Sequence, residues 1–170
     1  MRLPDFTSAA NVAALAGSAG GRYPHLAQAD VPVWEAFLAT RLIKFSRIYY
    51  DVGVGGKAAR HLPQDEELRP MWKTLVRKRI DAVAIAAGSD WCIEVKPVAG
   101  MAALGQVLTY RQLFATEGRG AQTARAVVVC FRGDDDVEEV FSTFGVSVVV
   151  VASQDSPEFP SVRKVIGSIR

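Results

Sequence analysis

The chain has 170 residues, of which 49% are hydrophobic and 22% charged, and a formal charge of +2. That length can bury one good core and is short for two, so a single domain is expected. The apolar run ending at Val151 falls far short of the roughly 20 residues a membrane-spanning helix needs, and residues 1–30 lack the basic start and continuous apolar stretch of a signal peptide, so membrane and secreted classes are set aside and a cytoplasmic location is expected.

Residues 1–30 are rich in Ala, Gly and Ser, include Gly17-Ser18-Ala19-Gly20-Gly21, and read as an N-terminal arm with a short helix near 8–16. An arm of this composition has little core of its own. A terminal arm is usually disordered unless it is tied down, by its own domain or by a partner chain, so contact with a homo-oligomeric or other protein partner through residues 1–30 is an expectation. Asp30 suits an N-cap and Pro32 an early helical position, and Val33, Trp34, Phe37, Leu38, Leu42 and Phe45 recur at helical spacing, which predicts an amphipathic helix over 31–46 with Glu35 in its first turn. Arg41, Lys44 and Arg47 form one basic group, readable as a solvated face or as phosphate contacts.

A strand over 48–54 ends at Gly53-Val54-Gly55-Gly56, which lacks the Lys-Ser/Thr of a phosphate-binding loop and reads as a turn. Residues 57–78 are polar and interrupted by Pro63 and Pro70, with a short helix from Met71. A second basic group, Arg69, Lys73, Arg77, Lys78 and Arg79, precedes Asp81. Strands are expected over 79–87 and 91–98, separated by Gly88-Ser89-Asp90, then a helix over 101–115, a strand over 126–131, a helix over 134–144 and a strand over 146–151. Residues 156–170, with Pro157 and Pro160, read as a C-terminal tail, leaving 31–155 as the domain. The order α-β-β-β-α-β-α-β implies an α/β fold, a mixed central sheet with helices on both faces. Cys92 and Cys130 each sit in an apolar strand, as buried reduced thiols do.

Side chains alternate along a strand, so Glu94 and Lys96 share one face. If Gly88 and Ser89 form a two-residue hairpin loop, Ala87 pairs with Asp90, Asp81 lies opposite Lys96 and Val83 opposite Glu94, and the polar groups converge. A three-residue loop would break that parity. Opposite residues lie about 5 Å apart and diagonal ones about 7–8 Å, within reach of a shared divalent ion. Two carboxylates and a lysine on an apolar hairpin need compensation, which metal binding or a plain structural ion pair both provide. Gln106 and Tyr110, four residues apart on the following helix, can cover the same end of the sheet.

Arg79-Ile80-Asp81, Glu94-Val95-Lys96 after a short hairpin, and Gln106-xxx-Tyr110 on the next helix together resemble the PD-(D/E)xK nuclease superfamily, which has a restriction-endonuclease-like fold, and in particular its branch with a Gln-xxx-Tyr helix. The likeness covers about residues 31–151; Ile80 stands where the family name has proline. The resemblance implies Mg²⁺- or Mn²⁺-dependent hydrolysis of phosphodiester bonds in DNA, in a phage, repair or recombination setting. By position, Asp81, Glu94 and the Val95 carbonyl would hold the metal, with Glu35 as the helix-one acid, although a glutamate near a helix start is equally a solvated residue favoured by the dipole. Lys96 would position or deprotonate the attacking water, and Gln106 and Tyr110 would orient the site. Arg77, Lys78, Arg79 and Lys73 would contact nucleic-acid phosphates. The alternative is a nuclease-fold structural or assembly component of a virion or nucleoprotein complex, motivated by the arm and the small size.

The remaining polar features have structural readings. Asp134, Asp135 and Asp136 sit where they would cap a helix and complement its dipole. His25 and His61 have no second ligand at zinc spacing. Trp34, Trp72 and Trp91 read as packing residues, with Trp72 beside Arg69 and Lys73 a candidate for stacking on a base.

Overall fold

The computed structural model describes residue 23 and residues 26–56, 63–118 and 124–169. Most of the 1–30 arm, as well as His25 and His61, lies outside the described residues, as does the Lys73 side chain. The elements in chain order are α1 (Val31–Thr40), β1 (Arg47–Val54), α2 (Arg69–Leu75), β2 (Lys78–Ala86), β3 (Ser89–Val95), β4 (Val98–Ala99), α3 (Met101–Thr116), β5 (Arg125–Cys130), β6 (Arg132–Gly133), α4 (Asp135–Thr143), β7 (Val146–Val151) and β8 (Val162–Ile166). Six strands form one sheet in the order β1-β2-β3-β5-β7-β8, while β4 and β6 pair separately. β1, β2 and β3 make an antiparallel meander, β3, β5 and β7 run parallel, and β8 returns antiparallel to β7. The chain is therefore α/β with a mixed sheet flanked by helices.

The expected order was too short. It omitted the tiny β4 and β6 and treated residues 156–170 as a tail, whereas Val162–Ile166 is the sixth strand of the sheet. That strand reads Val-Arg-Lys-Val-Ile and keeps its basic residues exposed, as a blunted edge does, so it offers no apolar run. α1 is also shorter than the periodicity suggested. Arg41 adopts a left-handed conformation (φ 52°), and the Thr40 hydroxyl donates to the Phe37 carbonyl at 2.7 Å and accepts from Leu42 N–H, which ends the helix. Phe45, counted in the helical stripe, instead packs from the connecting loop, 6.1 Å from Phe37 and 6.0 Å from Trp91 between ring centroids.

Each face of the sheet carries its own core. On one, Val33, Trp34 and Phe37 of α1 pack on Ala82, Ala84, Trp91, Ile93, Val95 and inward residues of β5 and β7. On the other, Ala103 and Val107 of α3 and Val137 and Phe141 of α4 cover Ala126, Val128 and Val148. The central strands are apolar on both sides, the expected pattern for parallel strands covered twice.

Along β1 and β2 the two-residue alternation breaks. Ile48, Tyr50 and Ala82 face the α1 side, whereas Val52, Val54 and Ile80 belong with Tyr110 and Phe114 under α3. The change falls at Asp51, which has φ 53°, and at Asp81, its neighbour across the ladder. Both strands thus turn over where the two aspartates lie, and Asp81 leaves the regular pleat.

Candidate functional site

The β2–β3 hairpin sets the geometry. Its loop is Ala87-Gly88, both left-handed (φ 49° and 77°) as a tight primed turn requires, and Ala86 pairs with Ser89. The expected Gly88-Ser89 loop is therefore corrected by one residue, and the ladder shifts by two: Val83 faces Cys92 instead of Glu94. A shift of two preserves parity, so Asp81 and Glu94 still meet. Regular pairing stops at Ala82 and Ile93. Beyond it the Asp81 carboxylate takes the place of a backbone acceptor and receives the Val95 N–H at 2.9 Å.

Lys96 is the first residue past β3, held against β5 by its N–H to the Val129 carbonyl at 3.0 Å. Its ammonium lies 2.9 Å from Glu94 Oε1, 3.1 Å from Asp30 Oδ2 and 3.7 Å from Asp81 Oδ2, and donates to the Val95 carbonyl at 3.0 Å. Three carboxylates therefore converge on one cation. Glu94 is 1% exposed; Lys96 supplies the polar contact to its buried Oε1, at 2.9 Å, and its Oε2 has no hydrogen-bond partner among the described residues. Lys96 is the most open member, with 28% of its side chain exposed.

Burial, then the Asp81 charge, pushes the Glu94 carboxyl up to about 7. Burial likewise raises Asp81, against the Val95 N–H and Lys96. For Lys96 burial acts downward, but the charges of Asp81, Glu94 and Asp30 outweigh it and hold the ammonium above its ordinary value. The cluster is thus a protonated lysine inside an excess of negative charge.

Gln106 and Tyr110 stand where α3 crosses this end of the sheet, the Gln106 amide donating to the Tyr110 hydroxyl at 3.4 Å. Tyr110 is buried beside Ile80 and Cys92, and burial together with the Glu94 and Asp81 charges raises its pKa. Cys92 and Cys130 are free, buried thiols, as expected.

Other expected site residues lie elsewhere. Glu35 is more than one turn into α1, whose first turn holds no acid. Among the described residues the carboxylates in ion-pair reach of Lys96 are those of Asp30, Asp81 and Glu94, so the acid that α1 brings to the site is Asp30. It was read as an N-cap and occupies that position without a side-chain capping bond, its carboxylate being turned to Lys96. Arg79 pairs with Asp51 at 3.0 Å, and Arg77 with Glu117 at 2.7 Å and the Gly53 carbonyl at 2.5 Å. The other Glu117 oxygen accepts from Gly55 N–H at 2.6 Å, so the glycine turn is tied to the end of α3. These two arginines bind the fold together, while Lys78 at the start of β2 is exposed. Asp134 caps α4 through Asp136 N–H, and Trp34 and Trp91 are core residues, whereas Trp72 is 39% exposed.

No family model, curated protein or solved structure matches the chain. Among the described residues no group of three or more His, Cys, Asp or Glu side chains is arranged as a metal cage, and no helix is long and apolar enough to cross a membrane. The Lys96 ammonium stands among the three carboxylates. The donors nevertheless suit a hard divalent cation. Magnesium is commonly held by one or two carboxylates with the rest of its shell left to water and substrate, and Glu94, Asp81 and the Val95 carbonyl are hard oxygens, of which Glu94 Oε2 has no hydrogen-bond partner among the described residues.

Proposed function

We propose that the chain is a divalent-metal-dependent nuclease with a restriction-endonuclease-like core, hydrolysing phosphodiester bonds in DNA. The observation that carries this reading is the charge imbalance at the end of β3: three largely buried carboxylates around one ammonium, with Glu94 Oε2 lacking a hydrogen-bond partner among the described residues. A group built only for stability would be expected to match its charges, because buried unpaired carboxylates cost several kcal/mol. An additional cation would complete the balance.

Asp81 and Glu94, with the Val95 carbonyl, would hold Mg²⁺ or Mn²⁺, which when bound polarises a phosphoryl oxygen and favours ionisation of water. The chain's own residues supply the rest. Lys96, firmly protonated among its three acids, acts as a donor that orients the water and offsets charge developing on the phosphate, rather than as a base. Asp30 anchors the Lys96 ammonium from α1, fixing its direction. Gln106 and Tyr110 wall the site on the α3 side and orient the nucleic-acid backbone. Lys96, the most open member of the cluster, marks the side from which a phosphate approaches.

Incubation of purified protein with single-stranded, duplex and branched DNA in Mg²⁺ or Mn²⁺ tests the reading. Cleavage that stops in EDTA is expected; intact DNA in every arm, from folded protein, refutes it.

A further inference from the structure

The connection between α1 and β1 places an exposed cation at every third position, Arg41, Lys44 and Arg47. The three border a surface hollow of about 420 Å³, within the size range of small-ligand sites. Its walls are apolar, formed by Leu38, Ile43, Phe45 and Ile48, and none of its described lining residues is acidic. Phe45 is braced from behind by Phe37 and Trp91, so the wall it forms is preorganised. Arg41 is held at φ 52°, a conformation that an arginine adopts at a cost.

The hollow is separate from the acid cluster. It sits at the C-terminal end of α1, whereas Asp30 precedes the N-terminal end, and a ten-residue helix spans about 15 Å. Arg47 pairs with Ile85, next to the hairpin turn, while Lys96 lies past the opposite end of β3.

A simple inorganic anion would make no use of the apolar wall, and a neutral apolar ligand would make none of the cations. Single-stranded nucleic acid offers both, because its bases are free to leave the stack and each is flanked by phosphates. A duplex keeps its bases stacked and would engage the cations alone. We propose that this hollow is a second nucleic-acid subsite, in which a base of a single strand enters between Ile43 and Phe45 while neighbouring phosphates lie on Arg41 and Lys44. The proposal deepens the nuclease reading by naming single-stranded DNA as the form engaged, and rests on it for the choice of nucleic acid over other anions. The plainer role for these cations is to complement the carbonyl end of α1.

The two roles separate by experiment. Binding of a fluorescein-labelled oligothymidine of about a dozen nucleotides is followed by anisotropy over a salt series in EDTA, with a duplex of equal length as competitor. Arg41→Glu combined with Lys44→Glu, both at exposed positions, should weaken binding at least tenfold and lower the salt slope by about 1.4, two phosphates at about 0.7 each. Ser46→Phe fills the hollow from its rim without changing charge and should weaken binding about fivefold or more with the salt slope unaltered. If Ser46→Phe lowers the melting temperature, Ile43→Gln replaces it. Duplex should compete poorly. Equal binding by the charge-reversed protein, an unaffected hollow-filling variant, or preference for duplex each overturns the subsite. Cleavage by the wild type with unchanged binding by the variants would sink the subsite alone. Binding that responds to the variants without any cleavage would sink the nuclease reading and keep the subsite.

Discussion

Replacing Glu94 by glutamine should make the metal-free protein more stable, and only at neutral or alkaline pH. The carboxyl is held at about 7 instead of its ordinary 4.5 by burial and the Asp81 charge. A group raised in the fold keeps its proton when the unfolded chain has lost it, so wild-type stability falls as pH rises from about 4.5 to about 7 and stays low above that. At about 1.36 kcal/mol per pH unit the whole effect is on the order of 3 kcal/mol, and part is returned because Lys96 loses one of its ion pairs. Glu94→Gln should therefore unfold at higher urea by about 1–3 kcal/mol at pH 8 in EDTA, and be nearly neutral at pH 5. Saturating Mg²⁺ should reverse the order by stabilising the wild type. Urea titrations of both proteins at the two pH values measure this. If Glu94→Gln is destabilised at pH 8, the Lys96–Glu94 pair is a structural bond and the charge-imbalance reasoning fails.

Lys96→Met removes the cation shared by three carboxylates, and at pH 8 it should cost about 3–5 kcal/mol by chemical denaturation, with part recovered at pH 5 as carboxyls take up protons. Asp30→Asn frees the lysine head and removes one of the three charges that call for a cation; Mn²⁺ affinity should weaken and cleavage should drop further, by about tenfold, since the orientation of Lys96 is lost as well. Ala87→Gly relieves a left-handed alanine in the hairpin loop and should raise stability by about 0.5–1 kcal/mol, read as a melting-temperature increase.

The site was legible because its determinants are local. Period-two alternation put Glu94 and Lys96 on one face, and an even shift of the hairpin register keeps Asp81 on that face, so an error of two residues moved it from a place opposite Lys96 to one opposite Glu94 and left the convergence intact. That Gln106 and Tyr110 share a helical face followed from their spacing, and the two side chains do meet. Asp30 was missed because an aspartate before Val-Pro has a sufficient local explanation as a cap, and only the packing of α1 across the sheet shows its carboxylate turned away to Lys96. Arg77 and Arg79 looked like a basic run for the same kind of reason: their partners Glu117 and Asp51 are 40 and 28 residues distant, beyond any local pattern. The helix end at Thr40 rested on a left-handed arginine, a residue with no general preference for that conformation, and β8 was hidden by its exposed Arg163 and Lys164.

Whether the acid cluster binds metal and cuts DNA is decided by a paired measurement on wild type and Asp81→Ala: Mn²⁺ binding by electron paramagnetic resonance and Mn²⁺-dependent cleavage of labelled DNA in the same samples. The acid cluster, if it is a metal-dependent phosphodiesterase site, predicts that the wild type binds and cuts and that the folded variant loses both by at least about tenfold. Wild-type levels of either activity in Asp81→Ala, or Mn²⁺ binding absent from both proteins, would contradict it.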